Sequence, residues 1–309
     1  MPQNRRGLFV RDLRFRIQAQ ASGFQMTRKS YPRATGAGES QCWFGDSGCK
    51  DAPLVFFVHG TGNDALFPHE PLFLSLLNAG IDVFTFDLDG HGYGNHTKLK
   101  PDTLKTCLAD ALIQANRLQK AGMVGIGYSL GGALLMESAV REAGHGFESL
   151  VFVSVPVNLQ IHPVALMKEG LSLLSAGFYR HVNYYGLARS LPAIGRFRRE
   201  AFPIRMHTEF GVQRDYPYLI RDLISGMQMP SLANKLSCPA LFCYGSADGL
   251  APAGQGQLLA TECPESTFLI FPGETHFTTP LSRTFEKEVI HWIRHKAITP
   301  TGKAKAKAT

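Results

Sequence analysis

Closely paired cysteines, a secretory signal and membrane-length apolar runs are all lacking in this sequence, and each shortage closes off a class of function. Six cysteines, at 42, 49, 107, 238, 243 and 263, include no C-x-x-C pair and are too sparse for a disulfide scaffold, so free thiols are expected. Cys42 and Cys49 flank a turn-like stretch at 43–48 that could be bridged only in an exported protein. Arg5 and Arg6 near the start are not followed by an apolar run, so no secretory signal is read and the cytoplasm is the expected compartment. The uncharged stretch 121–136 falls short of the roughly 20 residues a membrane helix needs. Zinc-finger spacing, a phosphate-cradling loop and an aromatic-and-basic RNA motif are missing too, so the net charge of +7 does not imply a nucleic-acid partner. Part of that charge is carried by Lys303, Lys305 and Lys307, which read as a solvated tail. Neither a cofactor nor a metal is expected.

What is present is apolar residues, 44% of the chain, enough to bury a large core. The chain is organised around residues 122–136. Met123 to Ile126 reads as a buried strand, Leu130 to Val140 as a helix, and Ser129 stands at the corner between them. Gly127-Tyr128-Ser129-Leu130-Gly131 is a G-x-S-x-G match, in which small residues let strand and helix approach and hold a serine in a strained, exposed turn. With 31 glycines in the chain the pattern alone is weak, and context must carry it. A dinucleotide fingerprint has the same strand-turn-helix setting, but here Leu130 occupies the place of its third glycine.

The rest of the chain supplies that context. Leu13, Phe15 and Ile17 alternate with Arg14 and Arg16, which predicts a half-exposed strand, and a second such segment begins at Phe24 and Met26. Continuous apolar runs then recur at 53–58, 83–86, 123–126, 150–155, 240–244 and 268–271. Most are separated by helical patterns such as Leu104, Leu108, Ala111, Leu112 and Ala115 behind Pro101. Strands alternating with helices predict a mostly parallel sheet covered on both faces, with ligands bound beyond the carboxyl ends of the strands. Residues 156–237 break the rhythm and read as an inserted helical cap, apolar and aromatic, with ten basic residues against five acidic, a net charge of +5. A solvated polar face accounts for that charge; its functional reading is attraction to an anionic substrate or, peripherally, to an anionic lipid surface.

A serine hydroxyl needs an imidazole to take its proton, and the imidazole needs a carboxylate to fix its tautomer. After the run 240–244 comes Gly245-Ser246-Ala247-Asp248-Gly249, and after 268–271 comes Pro272-Gly273-Glu274-Thr275-His276-Phe277. Alone, Asp248 reads as a turn aspartate and His276 as a surface or core histidine; in the order Ser129, Asp248, His276, each behind a strand, they read as a triad. Backbone amides for a developing oxyanion are expected from Leu130, after the serine, and Thr61, in the glycine-flanked loop after 53–58. His59 and His91 read as structural.

With these residues in view the chain resembles an α/β-hydrolase with a helical cap, close to the monoglyceride lipase and serine aminopeptidase-like branch, over residues 53–295. The residues that carry the likeness are His59-Gly60-Thr61-Gly62, Asp87 to Gly92, Gly127 to Gly132, Asp248 and His276. Gly94 departs from it, standing where many relatives carry serine. The resemblance implies Ser129 as nucleophile, His276 as base, Asp248 as its orienter, and Thr61 and Leu130 as oxyanion donors. The expected organisation is an N-terminal leader with antiparallel strands at 1–52, a hydrolase core at 53–155 and 238–295, the cap at 156–237 and a disordered basic tail at 296–309. The expected function is cleavage of a small-molecule carboxylic ester, with an acyl chain held under the cap. An acyltransferase or thioesterase using the same triad, and a binding module that has lost catalysis, are the alternatives.

Overall fold

The computed structural model describes residues 3–33, 39–61, 63–94, 100–141, 146–159, 164–165, 167–169, 171–172, 207–208, 211–212 and 216–296. The chain opens with α1 (Gln3–Ala21), β1 (Gln25–Pro32), β2 (Glu39–Asp46), β3 (Leu54–Val58), α2 (Glu70–Asn78), β4 (Asp82–Phe86) and α3 (Pro101–Asn116). It continues through β5 (Met123–Tyr128), α4 (Leu130–Arg141), β6 (Phe147–Val153), and the short strands β7 (His207–Thr208) and β8 (Gly211–Val212). It closes with α5 (Tyr216–Gly226), α6 (Met229–Asn234), β9 (Ala240–Gly245), α7 (Ala253–Glu262), β10 (Ser266–Phe271) and α8 (Arg283–Lys296).

Eight strands form one sheet in the order β1-β2-β4-β3-β5-β6-β9-β10. From β4 to β10 every pairing is parallel, and β1 and β2 add an antiparallel edge. The apolar runs form central strands because a parallel strand covered by helices on both faces needs apolar side chains on both. β3, β4, β5 and β9 are buried at every residue. Side chains alternate between two cores. Phe56, Phe84, Phe152 and Phe242 face α3, α4, α6 and α7, whereas Val55, Phe57, Ile126 and Leu241 face α2 and α8. Each such side chain taken out of water contributes about 1.5–3 kcal/mol. β10, at the sheet edge, is only partly buried, and Ile270 is left exposed.

Residues 3–21 correct the predicted N-terminal strand. They form a helix, α1, which buries Asp12, Phe15 and Ala19 on one stripe and leaves Leu13 and Ile17 exposed at 44% and 58%. The alternation around Phe15 is too short to separate a period of two from a period of 3.6. β1 and β2 follow as the antiparallel pair, and the buried Arg33 docks this leader onto the body by ion pairs to Asp89 at 2.6 Å and Asp110 at 2.8 Å.

Much of the predicted cap, 160–163, 166, 170, 173–206, 209–210 and 213–215, lies outside the described residues, as does 297–309 of the predicted tail. The last part of the predicted insertion does not stand apart from the body. Ile220, Ile224, Met229 and Ala233 of α5 and α6 belong to the main core, with α6 against α4 and α7, because their helical apolar stripe is large enough to need the body's cover. No helix among the described residues is long and apolar enough to cross a membrane.

Parallel register brings the strand ends into line. Val58 stands opposite Gly127, Tyr128 opposite Val153, Val153 opposite Cys243, and Gly245 opposite Phe271. The loops that leave these residues meet at one edge. The order β4-β3-β5 also makes β3 and β5 diverge in connection, the switch point at which such sheets open a crevice.

Candidate active site

Ser129 is the hinge between β5 and α4, and its backbone adopts φ 51°, a left-handed conformation rare outside glycine and held only where the surroundings demand it. Its amide donates to the Val153 carbonyl at 2.9 Å, and its carbonyl accepts from Gly132 and Ala133 at the start of α4. Three glycines make this corner possible. A Cβ on Gly131 would strike the Val58 and His59 carbonyls, one on Gly127 would strike the Gly132 backbone, and one on Gly132 would strike Val155. Strand β3, strand β5 and helix α4 are thereby packed backbone against backbone, and the hydroxyl is pushed to the carboxyl edge.

His276 comes from the loop after β10 and Asp248 from the loop after β9. His276 Nε2 lies 2.9 Å from Ser129 Oγ, and His276 Nδ1 lies 3.1 and 3.0 Å from the two Asp248 carboxylate oxygens. A carboxylate only accepts, so Nδ1 carries the hydrogen and Nε2 presents a lone pair to the serine hydroxyl. Asp248 Oδ1 is held in turn by the amides of Leu250 at 3.0 Å and Ala251 at 2.7 Å. All three side chains are buried. Burial works against the imidazolium, but the charge and hydrogen bond of Asp248, with Glu169 behind it, outweigh this and raise the His276 pKa above its ordinary 6.5.

Thr61 and Leu130, expected as amide donors, both lie in segments that adjoin Ser129. Leu130 opens α4, whose first amides have no carbonyl within the helix to bond. Thr61 follows Gly60 in the loop after β3, and a Cβ on Gly60 would come within 3.1 Å of Ser129 Cβ, which places that loop directly on the Ser129 corner. His59 and His91 do other work. His59 Nδ1 donates to the Gly60 carbonyl at 2.9 Å and Nε2 accepts from the Leu88 amide at 3.0 Å. Burial, and then His91, lower the His59 pKa to about 3, so it stays neutral and ties two loops together. Gly94 has no room for a side chain: a Cβ there would meet the Leu88 and His91 carbonyls.

Two residues of this region escape sequence reasoning. Glu169, visible in the sequence only as one charge of the insertion, is buried at 1% exposure, and its carboxylate accepts the amides of Gly249 at 3.0 Å, His276 at 3.1 Å and Phe277 at 3.2 Å. Tyr128, the second position of the G-x-S-x-G match, donates its hydroxyl to the His276 carbonyl at 3.0 Å.

Comparison with known proteins places the chain in a family. The family model described as serine aminopeptidase, S33, matches residues 50–279. No curated protein sequence matches the chain. Among solved structures, a meta-cleavage product hydrolase from Pseudomonas fluorescens is similar at a TM-score of 0.63 and 17% identity, covering 86% of this chain and 97% of its own. A highly thermostable carboxyl esterase from Bacillus coagulans is similar at 0.60 and 16%, covering 88% and 99%. A bromoperoxidase from Bacillus anthracis is similar at 0.58 and 18%, covering 86% and 100%. At such identities the likeness is one of fold, and that fold is the α/β hydrolase. With the family model spanning well over half its length, the chain belongs to the serine aminopeptidase S33 family of α/β hydrolases.

Proposed function

We propose that the protein is a serine hydrolase that cleaves a carboxylic ester through an acyl-enzyme on Ser129. The observation that carries this is the unbroken line from Ser129 Oγ through the His276 ring to the Asp248 carboxylate, each contact between 2.9 and 3.1 Å. In the first half-reaction Ser129 Oγ attacks the carbonyl carbon while its proton passes to His276 Nε2. Asp248 keeps the opposite nitrogen protonated and stabilises the imidazolium that forms. The carbonyl oxygen becomes an oxyanion, received by the Leu130 and Thr61 amides, each worth on the order of 3 kcal/mol of the barrier. Collapse of the tetrahedral intermediate breaks the ester bond, and the alcohol leaves with the proton from Nε2. Water then attacks the acyl-enzyme, giving its proton to Nε2, and a second collapse returns that proton to Ser129 Oγ and frees the acid.

The likeness in fold to a protein titled a carboxyl esterase supports an ester as substrate. The substrate carbonyl enters where the loops after β3, β5, β9 and β10 converge, with its acyl chain toward the inserted segment. The test is labelling with a fluorophosphonate probe, comparing wild type with Ser129→Ala, followed by p-nitrophenyl esters of increasing acyl length. Wild type takes the label and turns over ester, and Ser129→Ala folds normally, takes no label and loses several orders of magnitude in turnover, on the order of 10³ or more. Wild-type rates in Ser129→Ala would falsify the assignment.

A further inference from the structure

Glu169 stands in the insertion between β6 and β9, remote in sequence from both loops it touches. Its described partners are three backbone amides: Gly249, which follows Asp248, His276 itself, and Phe277. Oε1 receives Gly249 and His276 while Oε2 receives Phe277, so both oxygens are used and the carboxylate bridges the two loops that hold the acid and the base. A buried carboxylate is tolerated only when such donors replace its water. One helical turn on, the Ser172 hydroxyl donates to the Glu169 carbonyl at 2.8 Å and lies 2.8 Å from the Thr275 hydroxyl, so the same piece of chain grips the residue before the base as well. Glu169 touches neither Ser129 nor the imidazole ring nitrogens in these contacts; it acts on their placement.

We propose that Glu169 is a positioning residue for the reaction: one buried carboxylate ties the Asp248 loop to the His276 loop, so that the alignment of the base depends on it. The inference rests on the reading of His276 as the base. Aligned, the imidazole faces Asp248 on one nitrogen and Ser129 on the other, with the Tyr128 ring beside it, the Thr275 and Phe277 residues on either side, and two negative charges, Asp248 and Glu169, near it. Both charges favour the imidazolium that proton transfer creates.

The test uses the full chain and two variants. Glu169→Gln keeps the shape of the side chain but removes the charge and turns an N–H toward one of the three amides. Glu169→Asp keeps the charge on a shorter stem. Thermal melting establishes that each folds, and kcat, KM and the pH dependence of kcat/KM are then measured with a p-nitrophenyl ester. Ester cleavage requires neutral His276, so activity rises with pH through the His276 pKa. In E169Q, kcat falls on the order of tenfold or more with KM nearly unchanged, and the acid limb moves to lower pH, because a negative charge near the imidazolium is gone. In Glu169→Asp, kcat falls while the acid limb stays at its wild-type position. If E169Q is folded and has the wild-type kcat and acid limb, Glu169 positions nothing; if rates fall only as the melting temperature falls and the acid limb stays put, its role is structural, and either result overturns the proposal. Should E169Q fail to fold, Glu169→Asp decides: a wild-type kcat or a displaced acid limb overturns it. A wild type that takes no fluorophosphonate label overturns the serine-hydrolase reading and this inference with it, whereas a labelled wild type with indifferent Glu169 variants sinks the inference alone.

Discussion

Ser129 and His276 meet at 2.9 Å, yet opposite kinds of bonding bring them there. The serine corner is backbone packed on backbone. Its strand is buried at every residue, its helix lies on the strand through glycines, and its left-handed turn is closed by main-chain hydrogen bonds to Val153, Gly132 and Ala133. The histidine loop follows an edge strand that is only partly buried. Main-chain bonds anchor its ends, from Ala247 N–H to the Glu274 carbonyl at 2.9 Å and from Thr279 N–H to the Thr275 carbonyl at 3.0 Å. Around His276 itself side chains do the holding: Glu169 on the His276 and Phe277 amides, Tyr128 on the His276 carbonyl, Thr278 Oγ1 on the Thr275 amide at 2.8 Å. A main-chain corner has no graded states, because a single added methyl displaces a whole strand. A loop tied by side chains can be loosened one bond at a time. Ser129 is therefore fixed by the fold itself, and His276 is the half of the site whose alignment can vary.

The sharpest way to break that division is Gly131→Ala. The new methyl would meet the Val58 and His59 carbonyls, neither of which can move without shifting β3, so the usual overpacking cost of about 1–3 kcal/mol is a lower bound. The expected outcome is loss of folded protein, or a melting temperature lower by roughly 10 °C with no ester turnover. A stable, active Gly131→Ala would show that the corner tolerates more than its packing implies. Asp248→Asn comes next and acts on the other side of the division. To keep its bonds from the Leu250 and Ala251 amides, the asparagine must place its carbonyl oxygen where Oδ1 stands, which puts its N–H₂ in the Oδ2 place, 3.0 Å from His276 Nδ1. Nδ1 then becomes the acceptor and Nε2 carries the hydrogen, so the ring can no longer take the serine proton. Turnover should fall by about 10⁴-fold, the loss known for the same change in a serine protease, with the melting temperature near that of wild type.

What can be read in the sequence follows the same line. Runs such as Leu54 to Val58 are legible because burial on both faces leaves no other pattern, and the residues that converge on the site are nameable because each directly follows such a run. The fold class is therefore visible in the chain itself, and so are Ser129, Asp248 and His276 as the residues that meet. The N-terminal helix is not legible: Phe15 and Ala19 pack inward at helical spacing, but Leu13 and Ile17 on the exposed side imitate a strand's alternation. Glu169 is not legible either. It contacts backbone amides 80 to 108 positions away, and an amide contributes the same atoms whatever the residue, so no motif or spacing records the bond. Sequence patterns report what apolar burial demands and are silent on which carboxylate receives which amide.

Tyr128 joins the two halves, and the smallest of the expected effects falls on it. It is the last residue of β5, so its backbone belongs to the rigid corner, while its hydroxyl reaches across to the carbonyl of His276. Burial, together with the Asp248 and Glu169 charges, keeps the phenol protonated, which makes it a permanent donor. His276 is then gripped on both of its main-chain groups, by Glu169 at the N–H and by Tyr128 at the C=O. Tyr128→Phe keeps the ring and its packing but leaves a buried carbonyl without its donor, which costs about 1–3 kcal/mol. A fall of roughly tenfold or less in kcat and a melting temperature lower by a few degrees are expected, because Asp248 still fixes the tautomer and Glu169 still holds the amide. Combining Tyr128→Phe with E169Q tests whether the two grips act on one object. If they do, the double variant departs from the product of the single effects, since either loss alone already frees the imidazole to swing. Strictly multiplicative effects would mean that each bond stabilises only its own stretch of chain, and the alignment of His276 would then belong to Asp248 alone.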